Sequence, residues 1–294
     1  MSTVSVLIKR HVKLFFKDKG LFFTALITPM ILLVLYATFL GDVYRDSFTQ
    51  GLLVPLPEEL LEGLVGGQLI SSILAVSCVT VAFCANFLMV SDKASGTIKD
   101  LRISPVKPWA LSLSYYAATL IATLLICFVA AAVCLVYIAV IGWYMTVADV
   151  LLLLLDVVIL VMFGTALSSV INFFLSTQGQ ISAVGTIVSS CYGFISGAYM
   201  PISQFNEGLQ KVIMCLPGTY GTGLMRNHAL GGALRELERL QVPAEVMEEL
   251  KTVVDCNLTF FGEPVSISGM YAVICIATVV LIAGYVLLNK MKKR

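Results

Sequence analysis

Charge is the scarcest property of this sequence. Only 13% of its 294 residues are Asp, Glu, Lys or Arg, while 59% are hydrophobic and the mean hydropathy is +0.94. An average soluble domain carries roughly 25% charged residues. A water-soluble fold cannot hide this much apolar surface, so lipid is the expected solvent for most of the chain. The net charge of +1 excludes the basic footprint of a nucleic-acid-binding protein. Histidine is almost absent: His11 and His228 stand far apart in sequence. The eight cysteines form no CxxC and no Cys/His pair, so no metal site is expected. Most of them fall in apolar runs as small core residues. Only Cys215 and Cys256 fall where a disulfide is open to them. There is no GxxxxGK[ST] phosphate loop, no HExxH and no paired acid dyad, which argues against nucleotide hydrolysis by this chain and against a membrane-embedded enzyme. The run Lys9-Arg10-His11-Val12-Lys13 is too charged for the core of a cleavable signal peptide.

What is present is a series of long apolar runs. Residues 4–17 read as an amphipathic helix, with Val4, Leu7, Ile8, Val12 and Phe15 on one face and Lys9, Arg10, Lys13 and Lys17 on the other. Such a helix lies in the membrane interface. Spans are expected at 21–40, 67–90, 109–141, 150–175, 181–200 and 268–288. Pro29 should kink the first. The second is rich in small and hydroxylated residues suited to close helix packing. Residues 109–148 carry no charge, and 117–136 contain no Gly, Pro, Asn or Asp. One long tilted helix is therefore expected there rather than a hairpin. Between the last two spans, 201–267 reads as an extracellular or re-entrant helical segment. Its part 202–216 is too short and charged to span, and 227–255 is expected to be a water-exposed lobe. The fold class is thus all-α: one transmembrane domain over 1–294, with six spans and the interfacial helix inside residues 1–20.

Thirteen of the nineteen Lys and Arg lie in 1–20, 91–108 and 290–294, with only Asp18, Asp92 and Asp100 among the acids there. The positive-inside rule then expects both termini in the cytoplasm. The expected setting is a bacterial plasma membrane.

Two motifs stand out. The loop after the second span reads Ser91-Asp92-Lys93-Ala94-Ser95-Gly96-Thr97-Ile98-Lys99-Asp100-Leu101-Arg102-Ile103-Ser104-Pro105-Val106. Gly96 should end the membrane helix, Thr97 should cap a short amphipathic one, and Ile98, Leu101 and Ile103 should form its apolar face before Pro105. After the fifth span come Ser196-Gly197, Pro201, Leu216-Pro217, Tyr220 and Arg226. In order and spacing, over essentially the whole chain, these features resemble the permeases of type-2 ABC exporters. Asp92-Lys93 departs from the Glu-Arg-Glu-like start of many members. The resemblance implies that 91–108 is a cytoplasmic coupling loop docked on a separate ABC ATPase present in two copies. ATP and Mg would be bound there and no cofactor by this chain. It also implies a second permease chain, as a homodimer or a heterodimer, and a cargo such as a drug, antibiotic, toxin or lipid-like compound.

Asp156 is the one acid well inside an apolar run, roughly 10 Å from the near end of its span by helical rise. It is a candidate for the transport path, or a polar group bonded to a neighbour. Asn86, Asn172 and Gln180 are candidates for an inner vestibule or for helix-to-helix bonds. Gly193 and Gly197 form a GxxxG, read as a packing signal. Asn257-Leu258-Thr259 has the form of a glycosylation sequon, without meaning in a bacterial setting. An ion-coupled secondary transporter is the competing reading, but it would carry several intramembrane charges and repeated halves, and neither is visible.

Overall fold

The computed structural model describes residues 3–49, 57–103 and 106–291, and Pro105 lies outside them. The chain opens with α1 (Thr3–Lys17), whose buried stripe is Leu7, His11 and Phe15 at helical spacing. Asp18 caps α2 (Lys19–Leu35) by accepting from Leu21 N at 3.1 Å. That helix contains Pro29 and passes through a π-helical turn, Tyr36–Leu40, into α3 (Gly41–Thr49). Then come α4 (Glu58–Ala94), the short α5 (Thr97–Ile103) and α6 (Pro108–Ile141). Next are α7 (Val147–Phe174) and α8 (Gln178–Ile195), each opened by a capping box, Thr146/Asp149 and Thr177/Gln180. A 3₁₀ turn (Ile202–Gln204), α9 (Glu207–Met214), α10 (Pro217–Arg239) and α11 (Ala244–Val253) follow. A hairpin of β1 (Thr259–Phe260) and β2 (Glu263–Pro264) leads to α12 (Ile267–Met291).

The axis of the bundle is α4, enclosed by α2, α6, α7, α8 and α10. Nearly every side chain from Leu60 to Val90 is buried. Its hydroxyls fit that position because they bond their own helix: Ser77 to Ile73 O at 2.6 Å and Thr80 to Val76 O at 2.9 Å. Among the described residues, five stretches are long and apolar enough to cross a membrane: Lys19–Asp46, Glu58–Ala94, Pro108–Ile141, Val147–Phe174 and Ile267–Met291. A sixth helix, α8, has 18 residues and is more polar. The molecule is an all-α polytopic membrane protein. The helices α1 and α5 and the last turn of α12 mark a basic end, and α3, the first turns of α4 and α11 mark an acidic end.

The structure departs from the sequence expectations in several places. Helix α4 runs Glu58–Ala94, longer at both ends than the span expected at 67–90. The span expected at 181–200 ends at Ile195, because Gly197 takes φ +72° and the chain turns back. That bend also explains the GxxxG. Tyr199 N bonds Gly193 O at 3.0 Å, and the Tyr199 ring lies where a Cβ on residue 193 would sit 2.3 Å from it. The glycines therefore shape a helix end rather than a helix seam. Finally, 227–255 is not one exposed lobe. Residues 228–230 and 232–234 are buried in α10, which packs on α4, α7 and α12. The helix starts deep, with Gly221 against Leu160 and Ile274, and runs outward until Gly232 meets the Tyr144 backbone. A Cβ at 232 would lie 2.0 Å from the Tyr144 carbonyl oxygen, so only glycine permits this approach. The sequence hides this burial because Arg226, His228 and Arg235 make α10 look soluble; each is paired with an acid inside the fold.

Candidate functional site

At the basic end, α1, α4 and α6 are joined through one carboxylate near the C-terminus of α4. Asp92 accepts from Arg10 Nη1 at 3.1 Å and from the Tyr115 hydroxyl at 2.6 Å. The His11 ring stacks on Tyr115 with centroids 3.9 Å apart and planes 12° from parallel. Burial, aided by the neighbouring Arg10 charge, pushes the His11 imidazole down to about 4. Lys93 reaches across to α7 and donates to the carbonyls of Asn172, Phe173 and Leu175, each at 2.9 Å. A cation thus satisfies the terminal carbonyls of a membrane helix. Gly96, at φ +84°, breaks α4 from α5. Thr97 is the first residue of α5, with its hydroxyl 2.9 Å from that of Ser95. Leu101 packs inward, with Ile98 and Val106, on a cluster of Leu7, Met89, Leu111 and Tyr115. Ile103 points away and is 86% exposed. Two residues that the sequence placed on one apolar face therefore do different things.

Deeper in the bundle, Asp156 is 2% exposed. Its carboxylate lies 2.5 Å from His228 Nδ1 on α10 and accepts from the Tyr271 hydroxyl of α12 at 2.5 Å. The acid thus ties three helices and faces protein on every side. Its partner His228 is one of the two histidines that seemed unrelated in sequence. On the opposite face of α7, Asn86 donates to Ser168 and Ser169 at 3.1 and 3.0 Å, a helix-to-helix bond of the kind anticipated. The Asn172 side chain is fully buried and has no hydrogen-bond partner among the described residues. Gln180 completes the cap of α8 by accepting from Ser176 N and Thr177 N.

Toward the acidic end the second motif assembles around a buried ion pair. Arg226 and Asp255 meet at 2.6 Å with side chains 1% and 4% exposed. Arg226 Nη2 also donates to Gly197 O at 2.5 Å, and Ile202 N donates to both Asp255 oxygens at 3.1 and 3.0 Å. With its amide oxygen turned to Arg226, Gln68 of α4 accepts from Nη2 and Nε at 3.2 and 3.1 Å and from the Tyr44 hydroxyl at 3.3 Å. Burial pushes the Asp255 carboxyl up to about 6, against the pull of Arg226. Ser196 is buried beside this centre. Pro201 precedes the 3₁₀ turn, Pro217 opens α10, and the Tyr220 hydroxyl donates to Met214 O at 2.7 Å. The sequence reading found Arg226 but missed Asp255, Gln68 and Tyr271. A buried arginine demands an acid, yet the many acids between 236 and 255 offer no way to pick one without the fold. Cys215 and Cys256 are both free.

The helix α8 is more polar than the five candidate spans, and among the described residues its one extensive helix neighbour is α4. Its outward face carries Ser182, Thr186 and Ser190 beside Ala183, Ile187 and Cys191. Among the described residues no group of His, Cys, Asp and Glu could hold a metal ion.

No curated protein matches this chain. The family model described as ABC-2 type transporter matches residues 2–229, which takes in the interfacial helix, the basic-end loop, α8 and the ion pair's arginine. On that match the chain belongs to the ABC-2 type transporter family.

Proposed function

We propose that this chain is the permease subunit of an ATP-driven exporter, working with a second permease chain and two copies of a separate ABC ATPase that bind ATP and Mg. The observation that carries the reading is α5. It is a short helix at the basic end, pinned from inside by Leu101 and by the Arg10–Asp92–Tyr115 cluster, with Ile103 left 86% exposed. A rigid element with one large apolar side chain presented to water fits a groove on a soluble partner. Motion of that partner would pass through Asp92 into α4, the axis of the bundle. The basic end is then cytoplasmic, in agreement with the cation distribution. The path runs between two permease copies, along the hydroxyl-bearing face of α8, which is poorly matched to lipid. A lipophilic or lipid-like small molecule is the cargo class that suits such a lining of small hydroxylated and apolar side chains. Asp156 is sealed among three helices in this conformation, so it meets cargo only if α7 and α10 part.

The experiment is Ile103→Asp, with export and ATPase stimulation measured at matched protein level. Because Ile103 supports nothing inside the fold, the variant should insert and dimerise normally. Export and stimulation of the ATPase should fall about tenfold or more, the scale of one lost hot-spot side chain. Unchanged export would show that α5 is not the docking element.

A further inference from the structure

The ion pair Arg226–Asp255 holds a specific piece of backbone. Arg226 Nη2 binds Gly197 O at 2.5 Å, and Asp255 binds Ile202 N at 3.0 and 3.1 Å. The pair thus brackets residues 197–202, the loop into which α8 runs at its acidic end. Asp255, a non-glycine residue, sits in the left-handed region at φ +55°, while Gly197 supplies a turn at φ +72° that glycine adopts freely. Strained backbone persists where the surroundings fix it, and it marks functional positions. Burying an ion pair is also a poor way to gain stability, since apolar groups of similar volume do as well or better. The pair is anchored on its far side to α4 through Gln68 and to α3 through Tyr44. Asn227 Nδ2 steadies the chain next to Asp255 by donating to Cys256 O at 2.9 Å. Asp255 also lines a cleft of about 370 Å³ between α9 and the residues after α11, shared with Glu207, Lys211 and Leu258. Water therefore has a way to the pair once it loosens.

We infer that the Arg226–Asp255 pair is a latch that positions the acidic end of α8 and so closes the path at that end. The inference rests on the proposed role of α8 as the path-lining helix. Among the described residues α4 is the only extensive helix neighbour of α8; at its far end the Thr219 hydroxyl of α10 donates to Ile195 O at 3.3 Å, and the latch adds the hold on the residues that follow. Arg226 and Asp255 touch no cargo; they act through residues 197–202.

The test separates the latch from the path. In a background without native cysteines, Ser196→Cys reports on the bracketed loop, because Ser196 is buried beside the pair. The neutral double variant Arg226→Met with Asp255→Leu removes both charges and leaves neither buried alone. Local opening should raise the labelling rate of position 196 by about tenfold or more while folded protein stays at the parental level. Export should change in the same variant, as a leak or as lost coupling. Parental labelling in a well-folded double variant overturns the latch. Faster labelling with unchanged export keeps the latch and overturns the path role of α8. Should the double variant fail to fold, hydrogen exchange in the unsubstituted protein decides. The Ile202 amide should be as protected as the interior of α8, and exchange like that of an open loop overturns the inference.

Discussion

Single residues in this protein act by being paired where lipid or packing forbids an unpaired charge. Asp156 is the plainest case. A carboxylate in the middle of an apolar helix is costly unless something satisfies it, and His228 and Tyr271 do so from two other helices. Removing the acid leaves the buried His228 and the partly buried Tyr271 without this partner, and a fully buried orphan costs about 1–3 kcal/mol. Asp156→Leu should therefore lower the thermal unfolding temperature in detergent. Asp156→Asn, which keeps the shape and part of the bonding, should lie between Leu and the parent. A Leu variant as stable as the parent would mean that the three-helix bond does not form in the membrane. The sequence made Asp156 legible as an exception to an apolar run. It hid the partner, because 72 residues separate it from His228 and a tyrosine in a membrane helix carries no signal of its own.

Among the elements, α1 shows how a composition signal and a packing detail combine. Amphipathic spacing alone marks residues 4–17 as an interfacial helix. The sequence set His11 aside, yet it sits 1% exposed in the middle of the buried stripe, stacked on Tyr115. In the docked helix, burial holds the imidazole down at about 4, below its ordinary value near 6.5. Between those values an undocked helix takes up a proton and a docked one does not. Docking is thus fully supported above pH 6.5 and weakens as pH falls toward 4, by up to about 1.4 kcal/mol per pH unit. Hydrogen exchange of residues 3–17 against pH should show protection lost across that window. His11→Phe keeps the stacked ring without the titration and should flatten the profile; an unchanged profile would assign the effect elsewhere. The two helices that sequence reading handled least well, α8 and α10, share a cause. Each mixes polar with apolar residues, so hydropathy ends α8 late and takes the second half of α10 for a solvated lobe. Long uniform runs such as Pro108–Ile141 raise no such ambiguity, because nothing in them can make a turn.

At the scale of the whole molecule, polar centres are spaced along an otherwise apolar bundle. The Asp92 cluster sits at the basic end, Asp156 farther in, and Arg226–Asp255 toward the acidic end. Helix α4 contributes to the first and last of these through Asp92 and Gln68, so one helix connects the proposed docking element with the proposed latch. This is the arrangement expected of a permease that converts a push at one end into an opening at the other. The proposed docking role of α5 depends on what meets Ile103. A photoreactive residue at that position, in cells carrying the complete transporter, should yield one main adduct. Mass spectrometry should identify it as a soluble ATPase with a GxxxxGK[ST] loop, and the same probe at Glu248 on the acidic end should give none. An ATPase adduct from position 248 and none from 103 would contradict both the docking assignment and the orientation.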